Sequence, residues 1–233
     1  MPKKIKRKKT RRNKLLIFDI DGVLVDVSSS YLLAIKRTAE FFLGRLIDKE
    51  EVEDFKLKEG YNDDYGCTEA IIKNRNVSIP KEIIIKKFKE YYLGVNYAGL
   101  MKNEVWLLDK KILERLSKRF KLAIFTSRPK EEAIYVLRKA NVKKYFSTLI
   151  TMEDVKNKKP SPEGIDIILR RAKTKNAIYF GESIDDLLAA KNANVDFIGV
   201  VPSGFNKNKF KDVLRKNGVK IILDNINKIN KVI

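Results

Sequence analysis

Histidine is absent from this chain of 233 residues. The usual side chain for proton transfer near neutral pH is therefore missing, and acid–base chemistry falls to Asp, Glu, Lys or Tyr. Cysteine occurs once, at Cys67. That excludes an intramolecular disulfide and any cysteine-based zinc cluster, and the residue reads as a small buried apolar group. No apolar run approaches the roughly eighteen residues that span a bilayer. The basic N-terminal segment has no apolar h-region and no small-residue cleavage site, so it does not read as a secretory signal. These absences predict a soluble cytoplasmic protein without a membrane partner. Negative charge is also in short supply: 30 Asp and Glu stand against 50 Lys and Arg, a formal net charge of +20.

The positive excess is uneven. Lys3, Lys4, Lys6, Arg7, Lys8, Lys9, Arg11, Arg12 and Lys14 precede the first apolar run with no acid among them. Residues 1–14 read as a basic arm, able to contact nucleic acid weakly or to act as a solubilising tail. It lacks interleaved aromatics, so base stacking is not expected of it. Hydrophobic residues make up 44% of the chain, enough for a sizeable core.

Leu15-Leu16-Ile17-Phe18 is a short continuous apolar run ending in Asp19-Ile20-Asp21-Gly22, which suits a strand buried on both faces and stopped by a turn. Similar runs recur at Leu122–Phe125, Thr148–Ile150, Ala177–Phe180, Phe197–Val201 and Ile221–Leu223. Helical patterns separate most of them. Glu131–Ala140 is one, Ser161-Pro162 opens another with Ser at the N-cap, and Ser183 opens a third. The alternation predicts an α/β fold with a Rossmann-like parallel sheet. The stretch after Asp26 breaks it. Candidate helices at Ser30–Leu43, Asp48–Lys58, Cys67–Arg75 and Pro80–Leu93 are too many for one crossover. Residues 27–98 therefore read as an inserted helical cap domain, and 15–26 with 99–233 as the catalytic core.

Ligands of open parallel sheets gather at the carboxyl ends of the strands. There the sequence puts Asp19, Asp21 and Gly22; Thr126, Ser127 and Arg128; Lys159; and Glu182, Ser183, Asp185 and Asp186. Carboxylates suit a hard cation such as magnesium, while hydroxyls, backbone N–H groups and an ammonium suit phosphate oxygens. Phe18-Asp19-Ile20-Asp21-Gly22-Val23-Leu24, Thr126, Lys159-Pro160-Ser161-Pro162 and Gly181-Glu182-Ser183-Ile184-Asp185-Asp186 resemble, in order, the four motifs of the haloacid-dehalogenase-like superfamily. The helical insert after the first motif is similar to the cap of its phosphoglycolate-phosphatase-like branch.

The resemblance implies a magnesium-dependent phosphatase acting on a small phosphorylated metabolite. Asp19 would be the nucleophile, forming an aspartyl-phosphate, and Asp21 the general acid and base. Thr126 and Lys159 would complete the catalytic set. Gly22, Ser127, Arg128 and, from the cap loop, Gly60 and Asn62 would contact substrate. Asp19, Asp21, Glu182 and Asp186 would hold magnesium. The family most often has Asp where this chain has Glu182, which leaves open which of Glu182, Asp185 and Asp186 ligates directly.

Plainer readings stand beside these. Ser183 and Asp186 form a capping-box pattern that needs no metal. Tyr31, Phe41, Phe42, Tyr91 and Tyr92 read as cap core, and Lys156 and Lys158 as solvated charges. Two other functions fit the same residues: a phosphomutase acting on a sugar phosphate, and a nucleic-acid-associated factor whose site is degraded at Glu182.

Overall fold

The structure, a computed structural model, describes residues 14–61 and 63–233. The basic arm, apart from Lys14, and the expected substrate contact Asn62 lie outside the described residues.

Six parallel strands form the main sheet: β1 (Leu15–Phe18), β4 (Lys121–Phe125), β5 (Thr148–Ile150), β6 (Ala177–Gly181), β7 (Asp196–Val200) and β8 (Ile222–Leu223). Their order is β5-β4-β1-β6-β7-β8. Leu15 is in register with Lys121 on one side and with Ala177 on the other. The first three strands by sequence build outward from β1 in one direction and the rest build in the other. The order thus reverses beside β1, and a crevice opens at its carboxyl end.

The apolar runs are continuous because both faces of the sheet are covered. Leu16, Phe18, Leu122, Ile124, Ile178 and Phe180 pack into one cluster of buried side chains. Their neighbours Leu15, Ile17, Ala123, Phe125, Ala177 and Tyr179 pack into a second cluster on the opposite face. Helices α5 (Lys110–Arg119), α6 (Lys130–Lys139), α7 (Glu163–Ala172), α8 (Ile184–Asn192) and α9 (Lys207–Lys216) cover these faces.

The stretch after β1 is helical, as expected. It holds α1 (Tyr31–Leu43), α2 (Lys49–Lys56), α3 (Asp64–Lys73) and α4 (Lys81–Tyr92), which pack on one another. Their buried side chains, Ile71 and Phe88 among them, join the cluster that includes Leu16 and Phe18 of the sheet, so apolar packing runs from sheet to insert without a break. The chain crosses between the two at β2 (Val25–Asp26) and β3 (Val105–Trp106), an antiparallel ribbon with Val25 opposite Trp106.

Several sequence expectations are corrected. The ribbon strands are two residues each, too short to show any periodicity. α9 was not anticipated, although Phe210, Val213 and Leu214 stand at helical spacing; it buries Phe210 and Leu214. α7 starts at Glu163 with Pro162 as N-cap, so Ser161 stands outside the helix. α3 starts at Asp64 rather than Cys67, because the Asp63 side chain accepts the N–H of Tyr65 and caps the helix early. Phe41 is not core; it is 53% exposed beside the side chain of Lys87. Cys67 is buried, as expected.

Candidate active site

Asp19 is the first residue past β1. Its N–H donates to the Phe180 carbonyl at 2.9 Å, so β6 holds the backbone while the side chain stays 3% exposed at the crevice. Lys159 Nζ donates to Asp19 Oδ1 at 2.9 Å and pairs with Asp186 Oδ1 at 2.7 Å. The ammonium lies over the rings of Phe125 and Tyr179, 4.8 and 5.5 Å from their centroids. An ammonium taken so far from water needs its charge matched, and two carboxylates with two aromatic faces do so. Burial pushes Asp19 up to about 7 against the pull of Lys159, with Asp186 and Asp21 pushing the same way.

Asp186 belongs to this ion pair. Oδ1 also accepts from the Tyr179 hydroxyl at 2.7 Å, and Oδ2 accepts the N–H groups of Glu182 and Ser183, both at 3.1 Å. Burial works against its charge, but Lys159, Tyr179 and the Ser183 N–H together hold it below the usual carboxylate range. The capping box is thus formed, Ser183 Oγ accepting from Asp186 N at 3.1 Å. Asp185 turns toward the insert, where its Oδ1 accepts the N–H of Gly60 at 2.9 Å.

Glu182 is different. It is buried, and its Oε2 has no hydrogen-bond partner. Burial raises it well above the ordinary glutamate value, and Asp19, Asp21 and Asp186 add to the rise while Lys56 opposes it. Gly22, at φ +66°, makes room for it: a Cβ there would lie 1.7 Å from Glu182 Oε2. Among the described residues no three acidic side chains are gathered as a cage. Magnesium characteristically takes one or two carboxylates and fills its octahedron with water and substrate oxygens. An orphaned, buried carboxylate oxygen among other carboxylates fits that hard-oxygen chemistry, with Asp19 and Glu182 as the side-chain pair.

On the other side of the crevice, Asp21 Oδ1 accepts from Arg128 Nε at 2.7 Å and Nη2 at 2.5 Å. Arg128 is fully buried, and its Nη1 donates to Glu104 Oε2 at 2.9 Å. Glu104 Oε1 in turn accepts from Ser30 at 2.9 Å and from the Tyr92 hydroxyl at 3.0 Å. The Arg128 guanidinium lies 4.9 Å above the Tyr31 ring, and the Tyr31 hydroxyl donates to Glu132 Oε2 at 2.6 Å. Thr126 is buried beneath, its Oγ1 accepting the N–H of Arg128 at 3.2 Å.

The cleft that results is lined by Asp19, Asp21, Ser127, Arg128 and Glu182 from the sheet side, and by Tyr31, Lys56, Asp63, Asp64 and Tyr65 from the insert. Tyr31, expected as core, is buried in the core cluster and also lines the cleft. Gly60 binds Asp185 and does not line it. The segment from Lys56 to Asp64, a polar cap loop that the sequence marks as a candidate cleft lining, does line the cleft at its two ends, which form a buried pair at 2.8 Å. Sequence reasoning missed Glu104 and Glu132; neither carries a local pattern that marks it.

Comparison with known proteins gives the chain a family. The family model described as haloacid dehalogenase-like hydrolase matches residues 16–200. A phosphorylated carbohydrates phosphatase of Thermotoga maritima is 32% identical over 193 residues, 81% of this chain and 85% of that protein. An imidazoleglycerol-phosphate dehydratase of Phytophthora nicotianae is 32% identical over 195 residues, but this chain spans only 43% of its length. The solved structure of a phosphatase from Thermococcus thioreducens has a TM-score of 0.63 and 28% identity, over 88% of this chain and all of that one.

Proposed function

Since this chain belongs to the haloacid dehalogenase-like hydrolase family, we propose that it is a magnesium-dependent phosphatase that hydrolyses a small phosphorylated metabolite through a phosphoryl group carried on Asp19. The observation that carries the reading is the pairing of two buried carboxylates with opposite surroundings. Asp19 is charge-matched by Lys159 at 2.9 Å, and Glu182 keeps an oxygen without a partner. One carboxylate is poised to attack and the other to take a cation.

In this reading an Asp19 oxygen attacks phosphorus in line, and the bond from phosphorus to the leaving oxygen breaks. Asp21, its rotamer fixed by Arg128, gives its proton to the leaving oxygen. It then takes a proton from the water that attacks the phosphorus of the acyl phosphate, so that inorganic phosphate leaves and Asp19 is restored. Lys159 matches the negative charge on Asp19 throughout, and Asp186 holds Lys159 in place. The side chains of Asp19 and Glu182 with the backbone carbonyl of Asp21 would hold magnesium, which supplies charge neutralisation between nucleophile and phosphate. Residues 27–98 act as a cap whose Tyr31, Lys56, Asp64 and Tyr65 meet the leaving group and exclude water on closing.

The test is phosphate release from a panel of phosphorylated metabolites, with magnesium and with chelator. Asp19→Asn is expected to lower turnover by roughly 10⁴-fold or more with the fold unchanged by circular dichroism. Turnover that persists in the variant overturns the mechanism. Dependence on a bisphosphate activator, with no phosphate released, would make the protein a mutase instead.

A further inference from the structure

In a parallel α/β sheet every strand starts at one pole, and the helices that feed the strands end there. At this pole the helices end on basic residues. α5 closes on Lys118 and Arg119, α7 on Arg170 and Arg171, and α9 on Arg215 and Lys216. Some positive charge here is routine, because a helix C-terminus carries about half a negative elementary charge. The end of α7 goes well beyond that. Arg170 and Arg171 are followed at once by Lys173 and Lys175, all four exposed. Among the described residues no carboxylate pairs with any of them, whereas Lys118 and Arg215 each have an acidic partner on their own helix.

Arg170, Lys173 and Lys175 line an open groove of about 740 Å³ between the ends of α7 and α8, floored by Asn192 and Asn194, with Asp166 its only acid. The point where the chain enters the sheet lies next to the groove, through Asn176, the residue after Lys175. Leu15 N–H donates to the Asn176 carbonyl at 2.9 Å, and Lys121 N–H to the Lys14 carbonyl at 3.2 Å. The exposed Lys121 side chain reaches across to the Ala172 carbonyl at the end of α7. Lys14, the first described residue, enters the fold beside this end of α7. Asp19, Thr126 and Glu182 follow the carboxyl ends of their strands, so the groove lies at the opposite pole from the candidate active site.

We propose that this groove, with Lys14 and Lys121 at its rim, is a docking surface for the phosphodiester backbone of a nucleic acid. Arg170, Lys173 and Lys175, without acidic partners, are set along one open channel, with the exposed Arg171 next to Arg170 at the end of α7, and together they present donors to successive phosphates. Arginine contributes bidentate contacts and lysine point charges. No aromatic side chain lines the channel, which suits contact with the backbone rather than stacking on bases. The position leaves the cleft open, so binding is compatible with turnover at the other pole.

The experiment is fluorescence anisotropy of the full chain with labelled single-stranded RNA and DNA of about 20 nucleotides, titrated over a series of salt concentrations. Two further proteins are measured: the quadruple variant Arg170→Ser, Arg171→Ser, Lys173→Ser, Lys175→Ser, its folding checked by its melting temperature, and a variant without residues 2–13. Expected is binding by the full chain that weakens steeply with salt, at least about tenfold weaker binding by the quadruple variant, and a salt slope shallower by about 3, as loss of four phosphate contacts requires. Unchanged affinity and slope in the folded quadruple variant, or no binding by the full chain at low salt, overturns the proposal. Binding to phosphatidylglycerol vesicles that is tighter than to either nucleic acid would assign the pole to a lipid surface and overturn it equally.

Discussion

Glu132 shows how a single side chain is set by its surroundings. It is buried below Tyr31, and burial pushes its carboxyl up to about 7 against the Tyr31 hydroxyl and the Arg128 guanidinium, with Asp21 and Glu104 adding to the rise. A folded value above the unfolded one near 4.5 means the native state binds the proton more tightly. The stability this contributes is complete below about pH 4.5 and is lost as pH rises through about 7. Glu132→Gln keeps an acceptor for Tyr31 and removes the titration. The wild-type protein is expected to lose about 2–3 kcal/mol more than the variant between pH 4.5 and pH 8, measured by urea unfolding at each pH. Equal losses would show that Glu132 ionises freely. At this scale the sequence was informative where a motif fixed both identity and spacing, as at Asp19 and Lys159. It was silent where chemistry depends on partners far along the chain. Arg128 meets Asp21 across 107 positions and Ser30 meets Glu104 across 74, separations that no local pattern encodes.

At the scale of elements, α8 joins helix architecture to the site. Ser183 caps its first turn, and the same turn supplies Asp186 to Lys159 and Asp185 to Gly60. Ser183→Ala leaves the Asp186 N–H without its acceptor. The expected cost is about 1 kcal/mol in unfolding free energy. It should come with a drop in kcat larger than any change in KM, because the turn that frames Lys159 loosens. A loss of stability with kinetics unchanged would confine the cap to helix formation. The helices of the insert were legible because each hides an apolar face, as α1 does with Leu32, Ile35 and Ala39. Their ends were less so: Asp63 decides where α3 begins through a side-chain contact, and Pro162 decides where α7 begins.

For the whole molecule, the alternation of apolar runs and helices was sufficient to anticipate the parallel sheet. It did not reveal that the insert and the sheet share one apolar cluster, because Phe88 and Phe18 join that cluster only after folding. That continuity predicts one cooperative unfolding event. Far-ultraviolet dichroism reports the helices, and the fluorescence of Trp106, the sole tryptophan, reports the ribbon between the two parts. The two urea curves are expected to coincide. Separate midpoints would show that the insert unfolds by itself. The ribbon has a mechanical side as well. An insert tied by two independent tethers can slide, twist and swing. Here the tethers are zipped together, Val25 to Trp106 and Asp26 to Val105, and stitched to the sheet side where Leu107 N–H meets the Leu24 carbonyl. Two tethers joined along their length behave as one hinge plate. In the proposed closure of the insert, sliding and twisting would be suppressed and a single swing would remain, bringing Lys56 and Asp64 back to the same places in the cleft they share with Asp19.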